Sequence, residues 1–524
     1  NYFLGLYVQD DFRVTGKLTL NLGARWDLQT PSTERYNRGI TGFDPNATYT
    51  LGQTQARGGF TFADKDHRQS WNKHYRDFQP RLGTAYQMTS KLVWRAGYGL
   101  SFLPINGTGG PTDILQTGYA RRTPLVPTIG GGLNSFIPAR SGAGTLENPF
   151  PDGILQPYGS SLGPKTQVGQ AITYLSSEYV IPRVHQFNAG FDYDLPWKIT
   201  LEISYVGNRT RRFPVSRQTD AISLAERLKG FADPNYLNAS VPNPFAGAPE
   251  LAGTGLAAAT ITRTQSLRPF PQFTGVTRAG LALGSTSYNA MELRFNKRLT
   301  NGLVLTGTYT WAKIIDRSSF REDQYQETER VISALDRSRH LAINALYDLP
   351  FGRGRAIGSH WGKIPNAVFG SWQYNIILEA MTGTPTNLPD ATPARDPKLS
   401  GGAQSYDRWF DTCTLLTNGQ RSNCASASQQ VTWVQLKPNE LRTYSSRFPN
   451  VRNPSRPQIN MSVFKTFPIR ERIRLEFRAE SFNSCNTPIY AGPDTSVTSP
   501  NFGVVTRDQQ NFPRSMQFAL RLLF

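Results

Sequence analysis

Four charged residues at two-residue steps, Arg474, Glu476, Arg478 and Glu480, would stand on one face of a strand, where alternate side chains share a side. Arg25, Arg95, Glu202, Glu292, Arg294 and Glu379 occupy the polar steps of other alternating segments. Charges placed this way can grip a partner element or guide a polar solute; the simpler reading is a wet wall in which they pair with one another. A second group, Arg209, Arg211, Arg212 and Arg217, suits bidentate contacts to phosphate oxygens, with a solvated loop as the plainer alternative. Catalytic chemistry finds little footing. Gly159-Ser160-Ser161-Leu162-Gly163 matches G-x-S-x-G, but a nucleophile elbow needs an entering strand and a leaving helix, and this stretch is rich in Gly and Pro. His67 and His74, near Asp64 and Asp66, are seven residues apart in a loop-like segment, which is no ligand motif, so no metal or other cofactor is expected. Cys413 and Cys424 share one Ser/Thr/Asn/Gln-rich stretch and are expected to pair as a disulfide, which fits an oxidising compartment. Cys485 has no evident partner.

The elements that carry these residues are strands. Leu18, Leu20, Leu22, Ala24, Trp26 and Leu28 alternate with Thr19, Asn21, Gly23, Arg25 and Asp27, and similar runs appear at Leu92 to Phe102, Ile199 to Tyr205, Leu303 to Trp311 and Ile473 to Glu480. The 524 residues include 46 Gly and 36 Pro, mean hydropathy is −0.43, and no run of about 20 apolar residues could form a membrane helix. Spans of about 10 to 13 residues exceed the usual soluble strand and match a tilted strand crossing hydrocarbon. Aromatics gather near segment ends, as at Tyr2, Phe12, Tyr193, Trp197, Trp311 and Trp372, like the girdles of a barrel at the two membrane interfaces.

Connections alternate in length. Short turns at 15–17, 88–91, 195–198, 299–302 and 468–471 are separated by long segments at 30–77, 104–182, 207–285, 315–337 and 383–454, with an intermediate one at 350–370. That is the pattern of short periplasmic turns and long extracellular loops in an all-β, antiparallel, up-and-down transmembrane barrel of the outer-membrane type. Thirteen spanning strands are expected, at 2–14, 17–29, 78–88, 91–103, 183–194, 198–206, 286–298, 302–314, 339–349, 371–382, 456–467, 471–483 and 514–524. Residues 502–506 then fall in an extracellular loop. An odd number of antiparallel strands cannot close in the usual way, so the chain is expected to be incomplete at its N-terminus.

Several phrases resemble the Oar-like TonB-dependent transporters, whose chains often carry a carboxypeptidase-regulatory-like domain before plug and barrel. They are YVQDDFRVTGKLTLNLGARWD at 7–27, PRLGTAYQ at 80–87, LRPFPQFTGV at 267–276, SYNAMELRFNKRLTNGLVLTGTYTWAK at 287–313, FRAESFNSCNTP at 477–488 and the ending NFGVVTRDQQNFPRSMQFALRLLF. The resemblance covers residues 1–524 as barrel, without plug or N-terminal domain. It implies a barrel of about 22 strands, of which these would be the last thirteen. It also implies a plug that the inward charges could hold, and energy delivered by the TonB complex through that plug. Phe518, Leu520, Leu522 and the terminal Phe524 resemble the signal read by the barrel-assembly machinery.

Membrane lipid and lipopolysaccharide are expected partners, the latter through the arginine group. Nucleic acid is not, since the net charge of +19 is spread widely with no compact basic groove. The expected function is outer-membrane reception and transport of a solute too large for porins: a siderophore, an oligosaccharide or a peptide. The alternative is a passive channel or a surface-adhesion barrel.

Overall fold

The computed structural model describes residues 2–103, 115–120, 128–129, 134–135, 153–388, 390–399, 402–445, 447–470 and 473–524. Thirteen long strands form one continuous antiparallel path in chain order. They are β1 (Phe3–Arg13), β2 (Leu18–Gln29), β3 (His74–Gln87), β4 (Leu92–Phe102), β5 (Arg183–Leu195), β6 (Ile199–Gln218) and β7 (Gly275–Thr300). The path continues through β8 (Leu303–Arg317), β9 (Arg339–Asp348), β10 (Trp372–Met381), β11 (Gln458–Pro468), β12 (Arg474–Phe482) and β13 (Ser515–Leu523). Every expected span is a strand. Residues 471–472, at the start of the twelfth expected span, lie outside the described residues.

Cross-strand register divides the wall into two faces, because side chains directly opposite in a ladder point the same way. Leu6, Trp26 and Phe78 form one outward row, and Leu82, Tyr98 and Phe187 another. Further along, Tyr205, Met291 and Trp311 line up, as do Phe477 and Leu520. Many of these apolar side chains are exposed in the isolated chain: Leu6 is 58%, Phe78 61% and Leu520 69% accessible. Lipid supplies their missing neighbour, which removes the oddity of a large apolar surface facing out. The opposite face carries the charges.

Two strands run well past their expected limits. β6 was expected at 198–206 and β7 at 286–298, but they reach Gln218 and Gly275. Their extensions stand beyond the hydrocarbon, where both faces can be polar, so NRTRRFPVSRQ at 208–218 shows no alternation to read. A bulge interrupts the extension at Arg212, whose φ of 58° breaks the register between Arg211 and Phe213. One extra residue sends the following side chains to the opposite face.

The long connections have cores of their own. One packs Leu51 and Phe60 of a hairpin (Ile40–Leu51 with Thr54–Phe62) against Phe245, Leu251, Phe273 and Val276. Another gathers Leu388, Phe410, Trp433, Val451, Val497 and Phe502. Phe502 is therefore a loop-core residue, and Val505 lies outside the strands, bridged to Pro493 and donating to the Tyr406 carbonyl at 2.7 Å, consistent with a loop at 502–506. A helix, α1 (Leu224–Ala232), is capped where Ser223 Oγ accepts from the Glu226 amide at 3.3 Å. The intermediate connection at 350–370 contains a second one, α2 (Lys363–Phe369).

Candidate functional site

The inward face of the wall carries ion pairs both along and between its strands. Arg25 Nε meets Asp27 Oδ1 at 2.7 Å along β2, and Arg95 Nε meets Asp192 Oδ2 at 2.7 Å between β4 and β5. Arg294 and Glu202 approach to 3.5 Å between β7 and β6, and His340 Nε2 lies 3.0 Å from Glu379 Oε1 between β9 and β10. On β12, Arg478 Nε contacts Glu476. Arg474, Glu480 and Glu292 stand on the same face without an ion pair among the described residues. Most pairs are substantially exposed, so each adds at most about 1 kcal/mol to stability. Their effect is to fix where charge sits along the wall.

Glycines make room for these side chains. Gly5 opposes Asp27, Gly23 opposes Arg81, Gly97 opposes Asn188 and Gly190 opposes Arg95. A Cβ on Gly5 would come within 2.8 Å of Arg25 Nη2 and Asp27 Oδ1, and one on Gly97 within 2.8 Å of Asn188 Oδ1. At Gly5 and Gly97 the facing polar side chains therefore lie flat over the glycine instead of standing into the interior. Along β3 to β7 this leaves an open cleft of about 590 Å³ lined by Arg81, Gly97, Gly99, Asn188, Asn208 and Tyr288. A smaller cleft of about 240 Å³ borders it, where Asp27 takes a hydrogen bond from Gln79 and buried Asp77 Oδ2 has no partner among the described residues. Sequence alone pointed to the charges and missed the glycines, whose signal was their position on the polar step of each strand.

Residues 1–517 match the family described as "Outer membrane beta barrel domain". The chain belongs to that family. As an outer-membrane barrel it resides in the outer membrane of a Gram-negative-type bacterium. Comparison with curated proteins gave no match. Among solved structures it is similar to the pyoverdine outer membrane receptor FpvA from Pseudomonas aeruginosa PAO1 bound to pyoverdine, with 10% identity, a TM-score of 0.41, and coverage of 100% of this chain and 42% of that one. It is also similar to the outer membrane transporter YddB from Escherichia coli, at 9% identity and TM-score 0.41 over 99% of this chain and 53% of that one. The FrpB iron transporter from Neisseria meningitidis gives 10% identity and TM-score 0.39 over 99% and 44%. This outer-membrane barrel chain thus spans roughly half or less of the structures it matches, from 38% to 53% of their lengths.

Outside the barrel, register places two of the four clustered arginines on the lipid side. Arg211 stands between Arg183 and Ser285, with Arg317 next in the row, and Arg209 stands between His185 and Ser287. Like charges directly opposite repel, and Arg183 Nε is buried without a partner among the described residues. The other two do not join them. Beyond the bulge at Arg212, Arg217 turns to the loop side, where it donates to Gln326 Oε1 at 2.8 Å and lies 5.2 Å from the Phe320 ring centroid. The bulge thus sets Arg209 and Arg211 on the outward face and Arg217 on the loop side.

The remaining candidates fall apart or fall elsewhere in this barrel. Ser161, the middle of the G-x-S-x-G match, sits in a turn before a 3-10 segment at Gly163–Lys165 and donates to the Tyr158 carbonyl at 2.6 Å. His67 contacts Asp64 at 3.3 Å, while His74 contacts the Tyr179 carbonyl at 3.1 Å, so the two serve different segments. Cys413 and Cys424 are bonded, with S–S 2.05 Å, and Cys485 is free and exposed. Phe518, Leu520 and Leu522 share the outward row of β13, and Phe524 just beyond it is 96% exposed.

Proposed function

We propose that this chain forms much of the wall of a TonB-dependent outer-membrane transporter of the Oar-like type, which moves a solute too large for porins. The carrying observation is the wall itself: thirteen strands with a charged, glycine-spaced inward face and open edges at β1 and β13. Twelve antiparallel steps leave those two edges running the same way, so they do not complement each other in a simple antiparallel closure. Further strands and a plug elsewhere in the polypeptide would complete the barrel, and the plug would rest on the pairs of Arg25, Arg95, Glu202 and Glu379 and couple to TonB. The row ending in Phe524 is then the assembly signal. A deletion strain carrying the full-length gene, tested on ferric siderophores, oligosaccharides and peptides, should recover uptake of one class only when TonB is present. Recovery without TonB would favour a passive channel or adhesion barrel and overturn this reading.

The outward arginines have a partner in the same reading. Arg183, Arg209, Arg211 and Arg317 lie on the outward face of β5, β6 and β8, on the extracellular side of the row of Tyr205 and Trp311, where they would meet lipopolysaccharide phosphates. Anionic phosphate relieves the repulsion between Arg183 and Arg211. An Arg209→Gln, Arg211→Gln double variant should retain several-fold less lipopolysaccharide through purification, whereas Arg217→Gln should match the parent chain. Equal retention in all three would remove this partner from the proposal.

A further inference from the structure

The connection between β9 and β10 differs from the other periplasmic turns. Residues 349–371 contain Arg353, Arg355 and Lys363 and no Asp or Glu. The other turns are a few residues long, whereas this one folds back and ends in α2. Its far end is fastened to the lipid side of the wall. Lys465 Nζ donates to the Gly370 carbonyl oxygen and stands 5.0 Å from the ring centroids of both Trp372 and Phe467. Trp372 Nε1 donates to the Val368 carbonyl at 2.9 Å. Trp372 and Lys465 are register partners on an outward row that continues to Phe477.

The helix is oriented by a second contact. Asn366 Oδ1 accepts from the Arg353 amide at 2.8 Å, so that side of α2 faces its own loop. At about 100° per residue, Ile364 and Val368 stand opposite Asn366. They are exposed, at 79% and 51%, and Phe369 and Ile357 add 58% and 50%. An apolar face held against the lipid side, rimmed by unopposed cations, has the composition of an interfacial anchor. Arg355 leans on Asp348 at 3.3 Å, which leaves Arg353 and Lys363 as cations without a carboxylate partner among the described residues.

We propose that residues 357–369 lie in the periplasmic leaflet of the outer membrane, with Ile364 and Val368 at the acyl boundary and Arg353 and Lys363 on phospholipid phosphates. The segment then works as a fixed lipid anchor at the foot of β9 and β10, continuous with the apolar band of the wall. This follows from the outer-membrane location and is independent of what the barrel transports.

The test uses the full-length protein carrying Cys485→Ser, folded into nanodiscs of phosphatidylethanolamine and phosphatidylglycerol and checked by heat-modifiable migration. Nitroxide labels are placed through Ile364→Cys, Val368→Cys and, as an aqueous turn control, Thr89→Cys. Labels at 364 and 368 should collide several-fold more with oxygen than with a water-soluble nickel chelate, relative to position 89. Collision ratios equal to that control at both positions would overturn the anchor. Adding Arg353→Gln and Lys363→Gln should move the label at 364 toward water when phosphatidylglycerol is present, and an unchanged depth would overturn the role of the two cations. Two label sites keep the test open if either variant fails to fold.

Discussion

Trp433→Ala is expected to loosen the cysteine-bearing extracellular lobe by about 3–5 kcal/mol while the thirteen strands keep their register. Trp433 has no exposed surface and is the hub of that lobe, with Phe410, Phe448 and Phe502 ring centroids at 5.9, 5.7 and 6.2 Å in edge-to-face arrangement. Its Nε1 donates to the Asp411 carbonyl at 2.6 Å. Asp411 in turn anchors Arg395 at 2.6 Å and Gln429 at 2.6 Å, so emptying the position removes both packing and the brace of a polar cluster. The disulfide from Cys413 to Cys424 limits how far the lobe can open but does not fill the cavity. Trp433→Phe keeps most of the ring volume and loses the hydrogen bond, so its cost should be nearer 1 kcal/mol. Hydrogen exchange of amides at 409–415 and 431–436 reads the difference directly. Equal protection in the Trp433→Ala variant and the parent would show that the lobe is held by other contacts.

What the sequence reveals depends on what surrounds each segment. Across the hydrocarbon, lipid on one side and a polar interior on the other force strict alternation, and all thirteen spans could be read from Leu18 to Trp26 and its counterparts. Outside it that constraint ends. The extensions of β6 and β7 carry polar residues on both faces, so their strand character is set by pairing partners such as Val215 with Leu281 rather than by any local period. The bulge at Arg212 is equally silent in sequence, and it decides which arginines face outward. The inward charges were legible as a face, yet their pairing was not: Arg95 finds Asp192 and Glu202 finds Arg294 only once neighbouring strands are in register. Loop cores are hidden for a similar reason, since Leu51 and Phe273 come from segments more than two hundred residues apart.

The packing of that last core should also vary with pH, through Asp220. This carboxylate is fully buried where the chain leaves β6; it accepts the Phe270 amide at 2.7 Å and lies 3.6 Å from Arg268. Burial raises its pKa from 3.8 to about 7, with the Phe270 amide and Arg268 opposing the rise. Between about pH 4 and 7 the packed loop holds a proton that an opened loop releases, so the stabilisation is complete below this window. It falls as pH climbs through the window and is constant above it. Each tenfold change in proton affinity is worth about 1.4 kcal/mol, which puts an upper limit on the order of 4 kcal/mol on the effect. Asp220→Asn keeps an acceptor for the Phe270 amide but cannot titrate, and should make protection of the amides at 268–276 independent of pH once intrinsic exchange is corrected. Asp220→Ala leaves a buried N–H without a partner and should lower protection by about 1–3 kcal/mol across the whole range. Protection that rises from pH 5 to 7 in the parent chain would contradict the assignment, because a carboxylate stabilised as the anion has the opposite slope.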